Sequence, residues 1–431
     1  MKNKFFATLL TAGLTASMIA GLGVAVQADD LYEGDPITVR MMVWGNAEDY
    51  TKPNEALFNR FPEIAEKVNV EVELGGGGDA DVAEKLRLML ASGEELPDLI
   101  RLNYTQFPEY ADAGILYDLT DAIAPYEDDI MDAAKDIMKW DDTYYAVIHE
   151  IKPKVWFYRT DMFEEAGIDP AEITTVDEFI EAGRKFHEVF PDSYIENYGT
   201  PLSEYDIMMM MEAVDGTFCD EDGNYHMATD EGVRKAFEIL KKLHDADDAF
   251  STDIVEWTAD WQADFANDVL ASQLIGGWMK DHLMNWTPEN AGKWAMATWP
   301  EEIRPGSEAG GGIWVVPKNA PHAELAADMI AKFAFDPDVR KDVYEVAGKI
   351  PPLKSAAEDE FYTTSPYFGD TSAYFEAMET FRVYPYNPSS TREKTIANQY
   401  LTEYLSGTMD LDAALAAADA DLENQIGNPY D

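Results

Sequence analysis

Cysteine is almost absent from this chain: Cys219 is the only one in 431 residues. No internal disulfide can form, so stability has to come from packing. Positive charge is scarce as well. Lysine and arginine total 32 against 83 aspartates and glutamates, a net charge of -51, and such a surface repels nucleic acid and anionic membrane and disfavours an anionic ligand. Motifs for cofactor and metal chemistry are missing. The run Gly75 to Gly78 is followed by no Gly-Lys-Ser/Thr and is not a GxGxxG pattern, which excludes a nucleotide loop. His149-Glu150 and His187-Glu188 begin like a zinc-protease helix, but Pro153 and Pro191 stand where the second histidine belongs. Asp220, Asp222, Asn224 and Glu231 have calcium-loop spacing, yet Tyr225 replaces the required glycine and Asp222-Gly223 reads as a hairpin turn. There is no nucleophile elbow. No metal, no cofactor and no catalytic residue are expected.

The chain opens on a long apolar stretch instead. Met1 to Ala28 has two early lysines, an apolar centre and a closing Ala-Val-Gln-Ala before Asp29-Asp30. These are the parts of a secretory leader, with Ala28 the last residue removed, so an exported protein that is not itself membrane-embedded is expected. No cysteine stands near the cleavage point to take a lipid anchor. The remaining chain of about 400 residues exceeds one core and implies two domains.

Strand and helix patterns then alternate. Ile37 to Trp44 is a strand pattern, Thr51-Lys52-Pro53 reads as a helix start, Val68 to Leu74 alternates, and Asp98 to Asn103 ends at Tyr104. This is the rhythm of a mainly parallel sheet flanked by helices. Tyr144 to His149 and Val155 to Arg159 are further strand-like runs, as is a segment near Tyr194 to Tyr198. Thr175 to Glu178 is a capping box, and Gly167 ends a short helix. Val269 to Trp278 reads as a strand buried on both faces that delivers an indole, past Gly276 and Gly277, to a cleft. Gly310 to Pro317 is a glycine-led strand.

The blocks Leu86 to Leu102, Phe157 to Gly167 with Thr175 to Phe179, Phe265 to Trp278, and Gly310 to Pro317 with Ala326 to Phe335 resemble, in order, those of the extracellular solute-binding proteins of family 1. These are the sugar-capturing components of bacterial ABC importers, similar in plan to maltose-binding protein. The resemblance implies an α/β fold of two lobes, the type II periplasmic-binding-protein plan, joined by a hinge that the chain crosses several times. Residues 37–148 with 292–348 are expected in one lobe, and 150–289 with 350–431 in the other. It further implies a monomer that is no enzyme, lives in the periplasm or is secreted, and hands a neutral carbohydrate to the transmembrane subunits of an ABC permease. The family's binding positions vary, so the sugar does not transfer.

The residues themselves suit carbohydrate. A sugar ring offers an apolar C-H face to an aromatic platform and a rim of hydroxyls to carboxylates and amides. Trp44, Trp257, Trp278 and Trp299, with Tyr104, Tyr205 and Tyr384, are the candidate platforms; Trp314, inside its strand, reads as core. Asp79, Asn103, Glu150, Asp206 and Asp281, with backbone near Gly312, are candidate rim groups. Two competing readings remain: a secreted glycoside hydrolase, which needs a carboxylate pair at a defined separation, and a binding protein for a polyamine or peptide, which the acidic surface suits.

Overall fold

The structure, a computed structural model, describes residues 31–198, 202, 204–246, 249–304, 311–380 and 382–430. The leader and Gly310 lie outside the described residues. Ile37–Trp44 (β1) alternates apolar and polar positions and pairs in parallel with Val68–Gly76 (β2) on one side and Leu99–Asn103 (β3) on the other. Gly312–Val315 (β7, after three strands of a second sheet in chain order) closes this sheet antiparallel to β3. Leu102, Val39 and Ile313 are fully buried beneath the helices on its faces.

A second sheet has Lys154–Arg159 (β4) at its centre, Ser272–Gly276 (β5) on one edge and Trp294–Ala297 (β6) on the other. Both pairings are antiparallel, so the expected parallel order holds only for β1, β2 and β3. Apolar periodicity reports that a strand is buried and carries no information on its direction. Trp156 packs with Phe163, Phe179 and Phe186 into a second aromatic core that the C-terminal helices Ser390–Leu405 and Leu411–Gln425 complete through Leu401 and Leu415. Strand β6 lies within 292–348, the span expected to accompany the first sheet, yet it hydrogen-bonds to the second.

Other expectations shift by a few residues, each for a local reason. The run around Tyr144 to His149 forms only the short strand Thr143–Tyr144, after which Val147 bridges Trp314 by two hydrogen bonds of 2.8 Å. The segment near Tyr194 contributes single bridges, Tyr194 to Leu270 and Glu196 to Ser251. The buried strand expected from Val269 onward is confined to Ser272–Gly276, and Trp278 opens the helix Met279–Trp286. The first helix begins at Glu48, with Pro53 inside it, because Asn46 and Ala47 supply the first turn and Thr51 already donates to the Ala47 carbonyl. At Asp222-Gly223 a hairpin turn forms, with Gly223 at φ +80 and Asp220 Oδ1 accepting from the amides of Asp222 and Asn224.

The capping box forms as read. Thr175 Oγ1 accepts from the Glu178 amide at 3.2 Å, and the Glu178 carboxylate accepts from the Thr175 amide at 3.0 Å. Thr175→Ala removes one acceptor from a helix end of four orphan donors, for an expected loss of about 1 kcal/mol. A urea melt of that variant measures it.

Candidate functional site

Where β1 leaves the first sheet, its register slips by one residue between Val43 and Trp44, so that Trp44 faces Gly76. Such irregularities re-aim a side chain at the end of a strand. The glycine run that follows β2 is folded over Asp81, whose carboxylate accepts from the amides of Gly77 and Gly78 at 2.8 and 3.1 Å. A Cβ at Gly76 would sit 2.2 Å from that of Asp81, so the glycines serve this cap. Asp79 opens the helix Asp79–Ser92 and accepts from Gln106 Nε2 at 3.1 Å, while the Gln106 carbonyl accepts from the Asn103 amide. Trp44, Asp79, Asn103 and Gly312 thereby gather at one end of the first sheet.

The second sheet presents its own end to them. A cavity of about 320 Å³ lies between, lined on one side by Trp44, Asp79, Arg101, Asn103, Gly311 and Gly312, and on the other by Lys152, Met209, Glu256, Trp257, Ile275, Trp278 and His282. Trp257 is 61% exposed. Its ring centroid lies 4.8 Å from that of Trp278, which in turn meets His282 edge-on, and His282 stacks on Trp286 at 4.7 Å. Burial lowers the His282 pKa. Two indoles and an imidazole make a continuous aromatic floor, with open space above Trp257.

Arg101 supplies the opposite wall. Its guanidinium lies 4.6 Å from the Trp44 ring centroid and 5.1 Å from that of Tyr50. Its Nε is buried without a hydrogen-bond partner, and the guanidinium occupies the space a side chain at Gly312 would fill: a Cβ there would come within 2.0 Å of Nε. The cationic group thus lies flat on the aromatic wall.

A smaller cavity of about 100 Å³ shares Glu256 and Trp257 with the first and runs between Glu196, Asn197, Asp206 and Gln273. Burial, reinforced by the charge of Asp206, pushes Glu256 up to about 8. Burial also carries Glu196 well above the usual carboxylate range.

Six of the residues singled out from sequence therefore line the larger cavity: Trp44, Asp79, Asn103, Trp257, Trp278 and Gly312. Asp206 lines the smaller one. Tyr205 falls in the helix Glu204–Ala213, and its side chain lies outside what is described. Tyr104 and Tyr384 sit apart, lining a third cavity of about 310 Å³ with Trp140 and Tyr386; the Tyr384 hydroxyl is engaged by the Phe218 amide. Trp299 is buried in the second core beneath Lys154. Glu150 is enclosed in a cluster of cations behind the cleft, 3.5 Å from both Lys152 Nζ and Lys349 Nζ, and Asp281 pairs with Lys280 in the same cluster. Trp314 donates to His149 Nδ1 within the core.

The lining residues that sequence reading missed are Arg101, Lys152, Met209, Glu256, Ile275 and His282. One signal was available: Arg101 is a lone charge inside the apolar strand Leu99–Asn103. A charge at a buried strand position has to meet a partner or a ligand.

Residues 57–369 match the model of a family described as bacterial extracellular solute-binding protein. The chain is similar to an arabinooligosaccharide-binding protein of Halalkalibacterium halodurans, 25% identical over 75% of this chain and 74% of that one. A lactose-binding protein of Rhizobium radiobacter is 26% identical over 68% of this chain and 71% of its own. Among solved structures, an ABC transporter associated binding protein of B. animalis subsp. lactis, in complex with beta-1,6-galactobiose, superimposes with a TM-score of 0.72 at 25% identity, covering 90% of this chain and 97% of that one. The sugar-binding protein MalE of Xanthomonas citri superimposes with a TM-score of 0.74 at 21% identity, over 90% and 97% of the two chains.

Proposed function

The chain belongs to the bacterial extracellular solute-binding proteins, and from that premise we propose that it captures a sugar or oligosaccharide between its two lobes and delivers it to the membrane subunits of an ABC importer. The observation that carries this reading is the cavity between the two sheets. Its walls pair the indoles of Trp44, Trp257 and Trp278 with the polar groups of Asp79, Asn103, Arg101 and Lys152. An aromatic floor accepts the C-H face of a pyranose while carboxylate, amide and cationic groups meet its hydroxyls. The sugars bound by the relatives point the same way.

In this reading one lobe is formed by 37–148 with the chain from β7 through residues 352–355, which bond to 129–132, and the other by 150–289 with the later C-terminal residues, joined there by β6. The chain crosses between them near Glu150, again between β6 and β7, and a third time after residue 355. Ligand held by both walls favours the closed arrangement, which the permease then recognises. The leader is removed after Ala28 and the protein acts as a monomer outside the cytoplasmic membrane. Among the described residues no helix is long and apolar enough to cross a membrane. The family and the relatives are binding proteins, and no turnover is proposed.

Tryptophan fluorescence and thermal melting of the mature protein against neutral sugars, polyamines and peptides test the proposal. A sugar at a hundred times its Kd adds about 2.7 kcal/mol of stability, and the indole floor reports its arrival directly. Saturation by one sugar class without product is the expected result. A response to peptides or polyamines alone would overturn the substrate class, and hydrolysis of a bound glycan would overturn the binding role.

A further inference from the structure

The smaller cavity holds a buried hydrogen-bond acceptor that no donor among the described residues meets. Gln273 uses both of its amide hydrogens inside the protein, donating to Asn197 Oδ1 at 2.9 Å and to Glu256 Oε1 at 2.8 Å. Those two bonds fix which way the carboxamide points. Its carbonyl oxygen is left buried without a partner, on a residue only 1% exposed. Asn197 donates to the Ile254 carbonyl at 3.1 Å and its side chain also hydrogen-bonds Glu256. Glu196 accepts from the Leu274 amide. Among the described residues no lysine, arginine or histidine forms an ion pair with Glu196 or Glu256; Lys152, in the adjoining cavity, lies 3.5 Å from Glu150.

The buried Glu196 and the half-buried Glu256 face one another without a cation, which is costly. Burial raises both groups, with the charges of Glu256 and Asp206 adding at Glu196 and that of Asp206 adding at Glu256. A ligand can relieve them. An ammonium brings three N-H donors and a positive charge to a space whose unpartnered buried side-chain atom among the described residues, Gln273 Oε1, is an acceptor. It also lies beside the Trp257 ring, whose face attracts a cation. A hydroxyl brings one donor and no charge.

We infer that this cavity is a subsite for a protonated amine carried by the captured sugar, with Glu256 as its counter-ion and Gln273 Oε1 as a further acceptor. The inference rests on the sugar-capture reading and gives it a substrate class, an amino sugar, in place of the wholly neutral ligand expected from sequence. The cavity has about a third of the volume of its neighbour, room for a substituent while the ring lies over the indoles. The proton balance is explicit. Protonated Glu256 and the incoming ammonium form a carboxylate–ammonium pair and release one proton to solvent. Glu196, Asp206 and Tyr198 face the same space, and Lys152 and His282 face the adjoining cavity. With Glu256 about half ionised near pH 8, affinity for the amine rises as pH is raised from 6 toward 8.

The test is calorimetric titration of the mature chain at pH 7 with three disaccharides of one backbone: the β-1,4 dimer of glucosamine with free amines, its N-acetylated form, and cellobiose. The free amine is expected to bind at least tenfold tighter than the other two. Its heat should depend on the ionisation enthalpy of the buffer, reporting a released proton. Glu256→Gln should lower the ratio of amine to cellobiose affinity at least tenfold and abolish proton release. Asp206→Asn provides the same comparison should the first variant melt early. Equal affinities with no proton release would overturn the amine subsite while leaving sugar capture standing. Silence with all three overturns the subsite too, and the neutral-sugar panel then decides separately whether the capture reading stands.

Discussion

Glu150→Ala is expected to destabilise the folded chain by about 3–5 kcal/mol, the range for removing one partner from a buried ion pair. Glu150 is 3% exposed. Lys152 and Lys349 flank its carboxylate at 3.5 Å, and Lys280 and the fully buried Arg340 act on it from farther off. Removing the carboxylate takes from Lys152 and Lys349 the counter-charge they share, while Asp281 stays paired with Lys280. Burial alone would push Glu150 up, but Lys152, Lys349 and Lys280 outweigh it and hold the group well below the usual carboxylate range. A depressed carboxyl contributes stability that is complete above its unfolded pKa and is lost as pH falls through the folded one. Wild type should therefore lose stability on acidification below about pH 4.5, and Glu150→Ala should show a shallower acid slope. Urea unfolding of both proteins at pH 7 and across the acid range reads this. If the variant melts like wild type and loses only ligand affinity, Glu150 is a rim group of the cleft and the cation cluster does not depend on it.

The second large effect separates binding from stability. Trp257 adopts φ +62, a left-handed conformation that costs a side-chain-bearing residue roughly 1–2 kcal/mol. It is held there while its ring stays 61% exposed over the cavity, touching Trp278 and, at 5.4 Å, Trp261. Trp257→Gly relieves the backbone and removes the ring contacts, each worth about 0.5–1.5 kcal/mol. These changes offset, and stability should move by no more than about 1 kcal/mol. Binding should not be spared. A central indole in a recognition site typically carries about 2–3 kcal/mol, which corresponds to a 30- to 150-fold weaker Kd. Melting and calorimetric titration of one preparation give both quantities. An unchanged Kd would remove Trp257 from the floor of the site, and a collapsed melting temperature would make its strained backbone a structural device.

How far the site was legible in sequence follows from the range of the interactions involved. Trp44 and Trp278 were readable because each stands at or just beyond the carboxyl end of an apolar strand beside glycine, where ligands meet α/β folds. Glu150 was read as a rim group for an equally local reason, a carboxylate beside a strand-like run. Its partner Lys349 stands 199 residues away, and no local pattern announces that meeting. Glu256 and Arg101 were passed over for the same reason. Glu256 stands in a loop that becomes a wall only when Gln273, on β5, comes beside it. Arg101 is placed by Trp44, Tyr50 and Gly312 from three other segments.

By itself the sequence determined what depends on neighbours within a few residues. The Thr175–Glu178 capping box and the Asp222-Gly223 turn are closed by hydrogen bonds spanning at most four positions, and β1 and β3 are buried wherever their apolar runs find a partner. The order of the family's blocks likewise lay in the linear chain. Only the tertiary structure decided that the second sheet is antiparallel, that β6 joins it, and that one carboxylate is neutralised by lysines while another is left among acceptors at the edge of the cleft. Strand direction and the charge state of a buried group depend on which distant segment arrives beside them, and in a low-dielectric interior that arrival outweighs the residue's own preference.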